Sequence, residues 1–328
     1  MYSLYHIAFF TMWIITTVSL GAMLYNGVRS TFQFYQERNI LHVGYILTLL
    51  WYLIRTSPSI NQLTDVNPLQ SFNPKLKEVI PVLALILLFV AELYGQGIVK
   101  SLLILPSIWI LIVWRLEIRL TPILTGLIIT ITASLAGLPM WLNHYVGPFT
   151  YKVMLIFATP MFLASGMLLK RTGLGGSQLM NKQLRKAVLS FLSGCLMFLP
   201  IGLLNAAAGS SGYLITWVNR WWLPFSLPLF SGIVEELWYR LFMVSLVYYL
   251  VRPAFTKVPT IAILFSVLFS GVVFGMGHGG NLLDNFILGL MFGVPLAILF
   301  VMRDWEYAAG AHYMINFIPW IMVFLEAT

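Results

Sequence analysis

Residues Ser231–Arg240 read S-G-I-V-E-E-L-W-Y-R and place three ionisable side chains inside a long apolar run. Between 221 and 251 the only charged residues are Glu235, Glu236 and Arg240, so they lie near the middle of a segment long enough to span hydrocarbon. A charge at that depth costs roughly 2.5–3.5 kcal/mol on insertion scales and usually marks a functional site. The stretch therefore predicts a membrane helix with a polar site at its centre.

Helical spacing separates the two glutamates of this stretch. Glu236 and Arg240 are four residues apart, so they share a helix face and are expected to form an ion pair. Glu235 lies about 100° further round the helix, on the face of Ser231 and Tyr239, and must find its partner on another helix. The alternative, that both carboxylates are structural counterions joining helices, stays open.

The composition around this stretch is that of a polytopic membrane protein. Of the 328 residues 59% are hydrophobic and 9% are charged, whereas roughly 25% are charged in soluble domains. We expect an all-α transmembrane helix bundle of about 10–11 membrane segments, in a cell membrane and most simply a prokaryotic inner membrane. The net charge of +8 is spread over short loops, which gives no argument for nucleic acid as a partner. Cys195 is the only cysteine, so the sequence predicts no disulfide framework and no cysteine-based metal site.

Eleven apolar runs give this estimate of the number of segments. Two of them, 40–54 and 101–114, are shorter than the roughly 17 residues that a span requires and could be re-entrant or interfacial. The runs cover about 4–27, 40–54, 79–97, 101–114, 120–142, 153–169, 187–208, 221–251, 258–280, 283–302 and 307–325.

The loop 171–186 is the clearest internal boundary, because it is glycine-rich, polar and basic. It divides the chain into an N-terminal transmembrane region at 1–170, of unknown role, and a second domain at 187–326. Together with Lys170 the loop carries five basic residues and no acid, so we expect it to be cytoplasmic. Alternation of the runs then puts thirteen basic residues on that side and five on the other, with the N-terminus inside and the C-terminus outside.

Two further groups of polar residues lie in the apolar runs of the second domain. F-G-M-G-H occupies Phe274–His278, and H-Y-M-I-N occupies His312–Asn316. The first and last residues of each motif are four apart and share a helix face. Either histidine could instead be a satisfied core residue or a link between helices, but three helices that each bring a polar group to mid-membrane favour a shared site.

Glycines near the first of these motifs carry two predictions. Gly279 and Gly280 are expected to end the helix, which would leave His278 near its terminal carbonyl groups. A stripe of small residues four apart is expected to let the glutamate-bearing helix approach closely; it consists of Gly271, Gly275 and Gly279.

Such a site has the groups that amide hydrolysis requires. A carboxylate and an imidazole can polarise water, while a second imidazole and an amide can bind an oxyanion. The zinc motif H-E-x-x-H is absent, as are the Y-D and G-x-G-D motifs of presenilin-like enzymes. The nearest match to the rhomboid motif G-x-S-G is L-A-S-G at 163–166, which lacks the first glycine. Glutamate is thus the buried acid available for such chemistry.

The three motifs together resemble those of the CPBP family of intramembrane glutamic endopeptidases. This family includes the CAAX prenyl endopeptidases and the bacteriocin-processing or abortive-infection proteins, and its motifs are E-E-x-x-x-R, F-x-x-x-H and H-x-x-x-N/D. All three are matched in order and without substitution, at 235–240, 274–278 and 312–316. The resemblance covers about 187–326 and makes this part a CPBP-like intramembrane protease domain; nothing at 1–170 resembles a known family.

The resemblance implies a role for each motif residue. Glu235 and His278 would activate the attacking water, and His312 and Asn316 would form the oxyanion hole. Glu236, Arg240, Phe274 and Tyr239 would support the site. The implied enzyme is a metal-independent glutamic-type protease without a cofactor or a covalent intermediate, and its substrate would be a peptide or a membrane protein within the lipid bilayer.

Three other functions remain open from the sequence. A metalloprotease could hold zinc with His278, His312 and a glutamate. A proton-coupled transporter could use the buried acids as a relay. A non-proteolytic scaffold could keep the motif geometry while binding a partner.

Overall fold

The structure, a computed structural model, describes residues 4–25, 41, 44–49, 51–52, 80, 82–88, 90, 103–142, 148–207, 221–278 and 281–327. Within these ranges 89% of the residues are helical and none lies in a strand. The predicted all-α membrane bundle is confirmed. The total of 10–11 segments stays a prediction, because the runs at 40–54 and 79–97 lie only partly within the described residues.

Five α-helices with defined bounds precede the glutamate-bearing stretch, further helical residues lie at 44–49, 51–52 and 82–88, and the five helices follow the apolar runs closely. Helix α3 begins and ends where the run 120–142 does, whereas α4 extends the run 153–169 in both directions. These helices are α1 (Leu4–Tyr25), α2 (Ile104–Val113), α3 (Leu120–Leu142), α4 (Pro148–Thr172) and α5 (Leu184–Ala207).

The remaining helices are joined in two places by a π-helical turn, so that 223–251 and 282–302 are each one continuous helical segment. The π-helical turns are Leu237–Val244 and Gly289–Gly293. The α-helices are α6 (Leu223–Glu236), α7 (Ser245–Val251), α8 (Pro259–Met276), α9 (Leu282–Leu288), α10 (Val294–Met302) and α11 (Trp305–Ala327). We call the segment 223–251, which carries the two glutamates, the glutamate helix.

Five of the described helical segments are long and apolar enough to cross a membrane. Large apolar side chains on α3, such as Leu124, Ile128 and Leu135, are exposed. Lipid is the environment in which such a surface is stable. The protein is therefore a multi-pass membrane protein. The five spans are Leu120–Pro139, Leu184–Ala206, Pro259–Met276, Leu282–Met302 and Trp305–Leu325.

The glutamate helix is packed between the two regions that the sequence separates. On one side, the Ser226 hydroxyl of α6 donates a hydrogen bond to the Ala136 carbonyl of α3. On the other side, a Cβ added to Gly232 would lie 3.0 Å from the Ala309 carbonyl oxygen of α11, so the two backbones approach closely. Helix α11 also runs along α5, where a Cβ on Gly310 would overlap the Phe191 backbone.

The basic loop predicted as a boundary is fixed to the start of α11 by two buried carboxylates. Glu306 accepts hydrogen bonds from the Ser177 hydroxyl at 2.6 Å and from the Gln178 and Leu179 amides at 3.0 and 2.8 Å. Asp304 accepts from the Gln178 side chain at 3.0 Å, and the Trp305 amide donates to the Gly176 carbonyl at 2.9 Å. We call this arrangement the loop clamp. It makes the loop a packed part of the bundle.

Candidate active site

The two glutamates are in different environments although they are adjacent in sequence. The Glu236 side chain is fully buried, whereas the Glu235 side chain is 22% exposed. They lie where α6 passes into the π-helical turn, which widens the helix by about one residue per turn and occurs frequently at functional sites. The turn ends at Val244, and the helix continues as α7.

Glu236 is the centre of a buried charged cluster. The Arg240 Nε lies 3.2 Å from its Oε2, which confirms the predicted ion pair, and both side chains are fully buried. On the other oxygen, the His312 Nδ1 donates a hydrogen bond to Oε1 at 2.7 Å. The Arg240 guanidinium also lies over the Phe274 ring, 4.3 Å from its centroid, in a cation–π contact. Glu236 thus joins the glutamate helix to α11, which its predicted role as an orienting residue did not include.

Glu235 faces both histidines across a short gap. Its Oε2 lies 4.0 Å from the His278 Nε2 and 3.8 Å from the His312 Nε2. The prediction that its partner lies on another helix is confirmed, with one partner just after α8 and the other on α11. Both distances exceed a direct hydrogen bond by about 1 Å, so a small polar molecule can bridge the groups.

The His278 ring is fixed by the end of α8. Its Nδ1 donates to the Phe274 carbonyl at 2.8 Å, and the two rings pack edge to face with their centroids 4.5 Å apart. This contact confirms that His278 lies near terminal carbonyls, although α8 ends at Met276 and the two glycines predicted to end it lie outside the described residues. With Nδ1 bound to a carbonyl, the Nε2 is the ring nitrogen that faces Glu235.

Phe274 and Tyr239 form an aromatic wall beside the charged groups and the two histidines. The Phe274 ring packs edge to face against the rings of Tyr239 and His312, with centroids 5.3 and 5.6 Å apart. The Tyr239 hydroxyl comes so close to the backbone that a Cβ on Gly277 would lie 2.7 Å from it. Both rings also lie near the Arg240 guanidinium, and the supporting role of these two residues stays a prediction.

Asn316 lies one turn beyond His312 on α11 and is tied to the glutamate helix. Its side-chain amide donates a hydrogen bond to the Ser231 hydroxyl at 2.9 Å. Ser231 is one turn before Glu235 and is buried. This contact orients the Asn316 amide without using its second N–H, which remains available to a ligand.

A cavity of about 190 Å³ adjoins these residues. Four of the predicted site residues line it, namely Phe274, His278, His312 and Asn316, whereas Glu235 does not. Its remaining wall is mostly apolar and includes Phe292 and Trp320. Since a liquid water occupies about 30 Å³, the cavity has room for a peptide group and a water beside the imidazoles.

His312 lies beside Glu235 although the two residues are at different distances along their helices. Counted along the chain, His312 is about nine residues from the basic end of its helix, whereas Glu235 is about 16 from the basic end of its own. The His312 Nε2 and the Glu235 Oε2 are nevertheless 3.8 Å apart. Asp304, Trp305 and Glu306 are buried, so helix α11 begins inside the protein.

The prediction for the glycine stripe is wrong. A Cβ on Gly271 would lie 2.7 Å from the Val294 amide nitrogen, and one on Gly275 would overlap the Asn285 carbonyl oxygen. Both glycines therefore allow the helical segment 282–302 to approach α8, and Gly279 lies outside the described residues. The glutamate helix contacts another face of α8, where the Ser270 hydroxyl donates to the Tyr239 carbonyl at 2.6 Å. The spacing identified a close approach but not the helix that makes it.

Some residues of the site were not predicted. Asn205 of α5 lines the cavity, and its side chain donates to the Ile315 carbonyl at 3.0 Å. An asparagine within the apolar run 187–208 was a signal for it. Ser231 was noted only for its helix face, and its contact with Asn316 joins residues 85 positions apart, which spacing along one helix cannot predict.

The described residues contain no group of three or more His, Cys, Asp or Glu side chains arranged to hold a metal ion. The His312 Nδ1 is already engaged by Glu236. The sequence suggested His278, His312 and a glutamate as zinc ligands. The Nε2 atoms of the two histidines both face the Glu235 carboxylate across one gap.

Comparison with protein families gives a match to part of the chain. Residues 216–318 match the family described as type II CAAX prenyl endopeptidase Rce1-like. This range is about a third of the chain and contains all three motifs. The chain therefore carries an Rce1-like domain. The Rce1-like domain confirms the resemblance to the CPBP and CAAX protease family and supports, in general terms, an intramembrane endopeptidase of the CAAX type. Neither the curated proteins nor the solved structures give a significant match.

Proposed function

We propose that the Rce1-like domain hydrolyses a peptide bond in a membrane-associated protein or peptide by means of a water held between Glu235 and His278. The carboxylate takes a proton from this water as it attacks the carbonyl carbon, and the proton passes to the leaving amine. The supporting observation is the approach of the Glu235 Oε2 to both imidazole Nε2 atoms, at 4.0 and 3.8 Å, beside a cavity. No covalent intermediate and no metal ion take part in the proposed reaction.

His312 and Asn316 stabilise the oxyanion in this mechanism. Because the His312 Nδ1 donates to Glu236, its Nε2 can also donate only when the ring is a cation. The buried Glu236 carboxylate, 2.7 Å away, supplies the opposite charge for that cation. The Asn316 amide, oriented by Ser231, supplies the second donor.

The domain division belongs to the same proposal. The protease domain is 187–326, and the region 1–170 supports it by covering the glutamate helix, as the contact of Ser226 with Ala136 indicates. The proposed location is a cell membrane, most simply a prokaryotic inner membrane.

The test uses the purified full-length protein in lipid nanodiscs with membrane-anchored reporter peptides. Removing a general base lowers a rate by about 10²–10⁴-fold, so Glu235→Gln should reduce cleavage by that factor. Glu117→Gln, in the turn between α2 and α3, is the matched control and should cleave normally. Peptidomics of membranes that carry the wild type or Glu235→Gln would identify the substrates.

Two outcomes would contradict the proposal. Normal cleavage by Glu235→Gln would show that Glu235 is not the general base. Loss of cleavage with a chelator, restored by added zinc, would favour a metalloprotease. A substrate that binds both variants equally and is never cut would instead favour the non-proteolytic scaffold.

A further inference from the structure

A second cavity is lined by residues between 118 and 182, and none of them belongs to the candidate active site. It has a volume of about 390 Å³, twice that of the cavity at the imidazoles. Its walls are the start of α3, the end of α4 and the loop that follows α4. The proposed hydrolysis assigns no role to it.

Three cations line this second cavity, one from each of its walls. They are Arg119, Lys170 and Lys182, and no Asp or Glu is among the lining residues. In the described ranges no carboxylate pairs with any of the three. Three cations without counterions around one cavity favour an anionic ligand.

The inner part of the same cavity is apolar. Phe162 and Met167 of α4 and Met180 of the loop contribute to it, and the first two are almost fully buried. Phe162 is eight residues before Lys170, so the apolar part extends about 12 Å below the cationic opening. A free inorganic anion would leave this part unfilled, whereas a molecule with an anionic head and an apolar body fits both parts.

The opening lies at the boundary of the membrane. The span of α3 begins at Leu120, directly after Arg119, and α4 ends at Thr172, two residues after Lys170. Lipid phosphates are expected at this level, where Lys and Arg side chains strengthen binding to an anionic membrane surface. A lipid from the surrounding bilayer can therefore reach the cations with its headgroup.

The loop clamp makes the cavity a preformed site. Its loop wall includes Ser177, whose hydroxyl is held by Glu306 at 2.6 Å. A site whose wall is already ordered binds without the cost of ordering a loop. The same clamp fixes the start of α11, so a ligand here would contact the segment that supports the helix of His312.

We propose that this cavity binds the phosphate headgroup of an anionic phospholipid. The three cations bind the phosphate, and the apolar part receives the glycerol and the upper acyl chain. The site is separate from the proposed hydrolysis and does not depend on it.

The experiment measures lipid retention by the full-length protein in detergent with native mass spectrometry. The probes are phosphatidylglycerol, phosphatidylcholine and inorganic phosphate. Lys170→Gln/Lys182→Gln should weaken binding of phosphatidylglycerol by about tenfold or more and leave the weak binding of phosphatidylcholine unchanged. The matched control removes two charges at the start of α5, just after the loop and outside the cavity, Arg185→Gln/Lys186→Gln, and should bind as the wild type does.

A third variant tests the cavity without changing charge. Gly166 lines it, and a Cβ there would lie 3.5 Å from the Met180 sulfur, an ordinary contact. The larger Gly166→Leu side chain should fill the cavity and reduce lipid retention to a similar extent. If Arg185→Gln/Lys186→Gln lost as much bound phosphatidylglycerol as Lys170→Gln/Lys182→Gln, binding would depend on overall surface charge, and the proposal would be overturned. Inorganic phosphate bound tightly without lipid would assign the site to a free anion and would overturn it as well.

Discussion

At the scale of single residues, we expect the buried pair of Glu236 and Arg240 to combine a structural and a chemical role, which variants can separate. Removing one partner of a buried pair costs about 3–5 kcal/mol because the other charge stays buried without compensation. Glu236→Gln should therefore lower both the thermal stability and the cleavage rate. Glu236→Gln/Arg240→Met removes both charges and should recover most of the stability, measured by thermal unfolding in detergent.

The cleavage rate of the same double variant should stay low. His312 loses its carboxylate acceptor in this variant whether or not Arg240 is present, and its cationic form loses its counter-charge. Recovery of both stability and cleavage would mean that Glu236 is only a structural counterion.

A second prediction at this scale concerns two buried serines that make different contacts. Ser231 orients the Asn316 amide, whereas Ser270 donates to a backbone carbonyl. Ser231→Ala should lower kcat about tenfold with little change in KM, because the amide loses its orientation and a fully removed oxyanion donor costs about 10²–10³-fold. Ser270→Ala should lower stability by about 1 kcal/mol and leave kcat unchanged. Equal kinetic effects of the two variants would argue against a positioning role for Ser231.

The sequence predicted which residues form the site better than it predicted the contacts between them. Spacing of four along one helix predicted the pair of Glu236 and Arg240, and the 3.2 Å distance confirms it. The bond from His312 to Glu236 joins residues 76 positions apart, and no local pattern encodes it. The division of roles between the two glutamates was predicted from their faces and stays a prediction.

At the scale of helices, the close approach of α8 to the segment 282–302 should determine the position of His278. A Cβ on Gly275 would overlap backbone atoms of Asn285 and Gly289, which cannot rotate away. Gly275→Ala should therefore cost about 1–3 kcal/mol as an overpacking change and lower cleavage, since His278 follows three residues later.

The matched control for this prediction is Gly166→Ala in α4. Its added Cβ meets only the flexible Met180 side chain, at 3.5 Å, so stability should change by no more than about 0.5 kcal/mol or rise slightly. Thermal unfolding and cleavage of both variants would be compared. A neutral Gly275→Ala would contradict the close packing of α8.

Helix positions and lengths were predictable because apolar runs of fixed length are a strong signal, as 120–142 illustrates. The π-helical turns were not, since the 237–244 sequence is as apolar as an ordinary helix and the extra residue is set by packing. The partner of the glycine stripe was predicted wrongly for a related reason: small residues indicate where a backbone can approach, not which one does.

At the scale of the whole molecule, the region 1–170 should be required for a stable protease domain. The Trp13 indole donates to the Leu196 carbonyl of α5 at 3.0 Å, and α3 covers α6. A chain of residues 187–328 alone should therefore be poorly folded, with a low yield of monodisperse protein in size-exclusion chromatography. Co-expression with residues 1–186 should restore the yield, and a fully active 187–328 fragment would contradict the prediction.

The arrangement of the glutamate helix also has a consequence for biosynthesis. This helix leaves the ribosome before α8, His278 and α11, so its two imidazole partners and the Phe274 ring over Arg240 are made later. Until those later segments have entered the bilayer, the Glu236–Arg240 pair is the only contact among its charged groups described above that lies within the helix, and Glu235 has neither imidazole beside it. On the proposed mechanism, cleavage requires His312, so a nascent chain that has not yet inserted α11 is expected to leave its neighbours uncut.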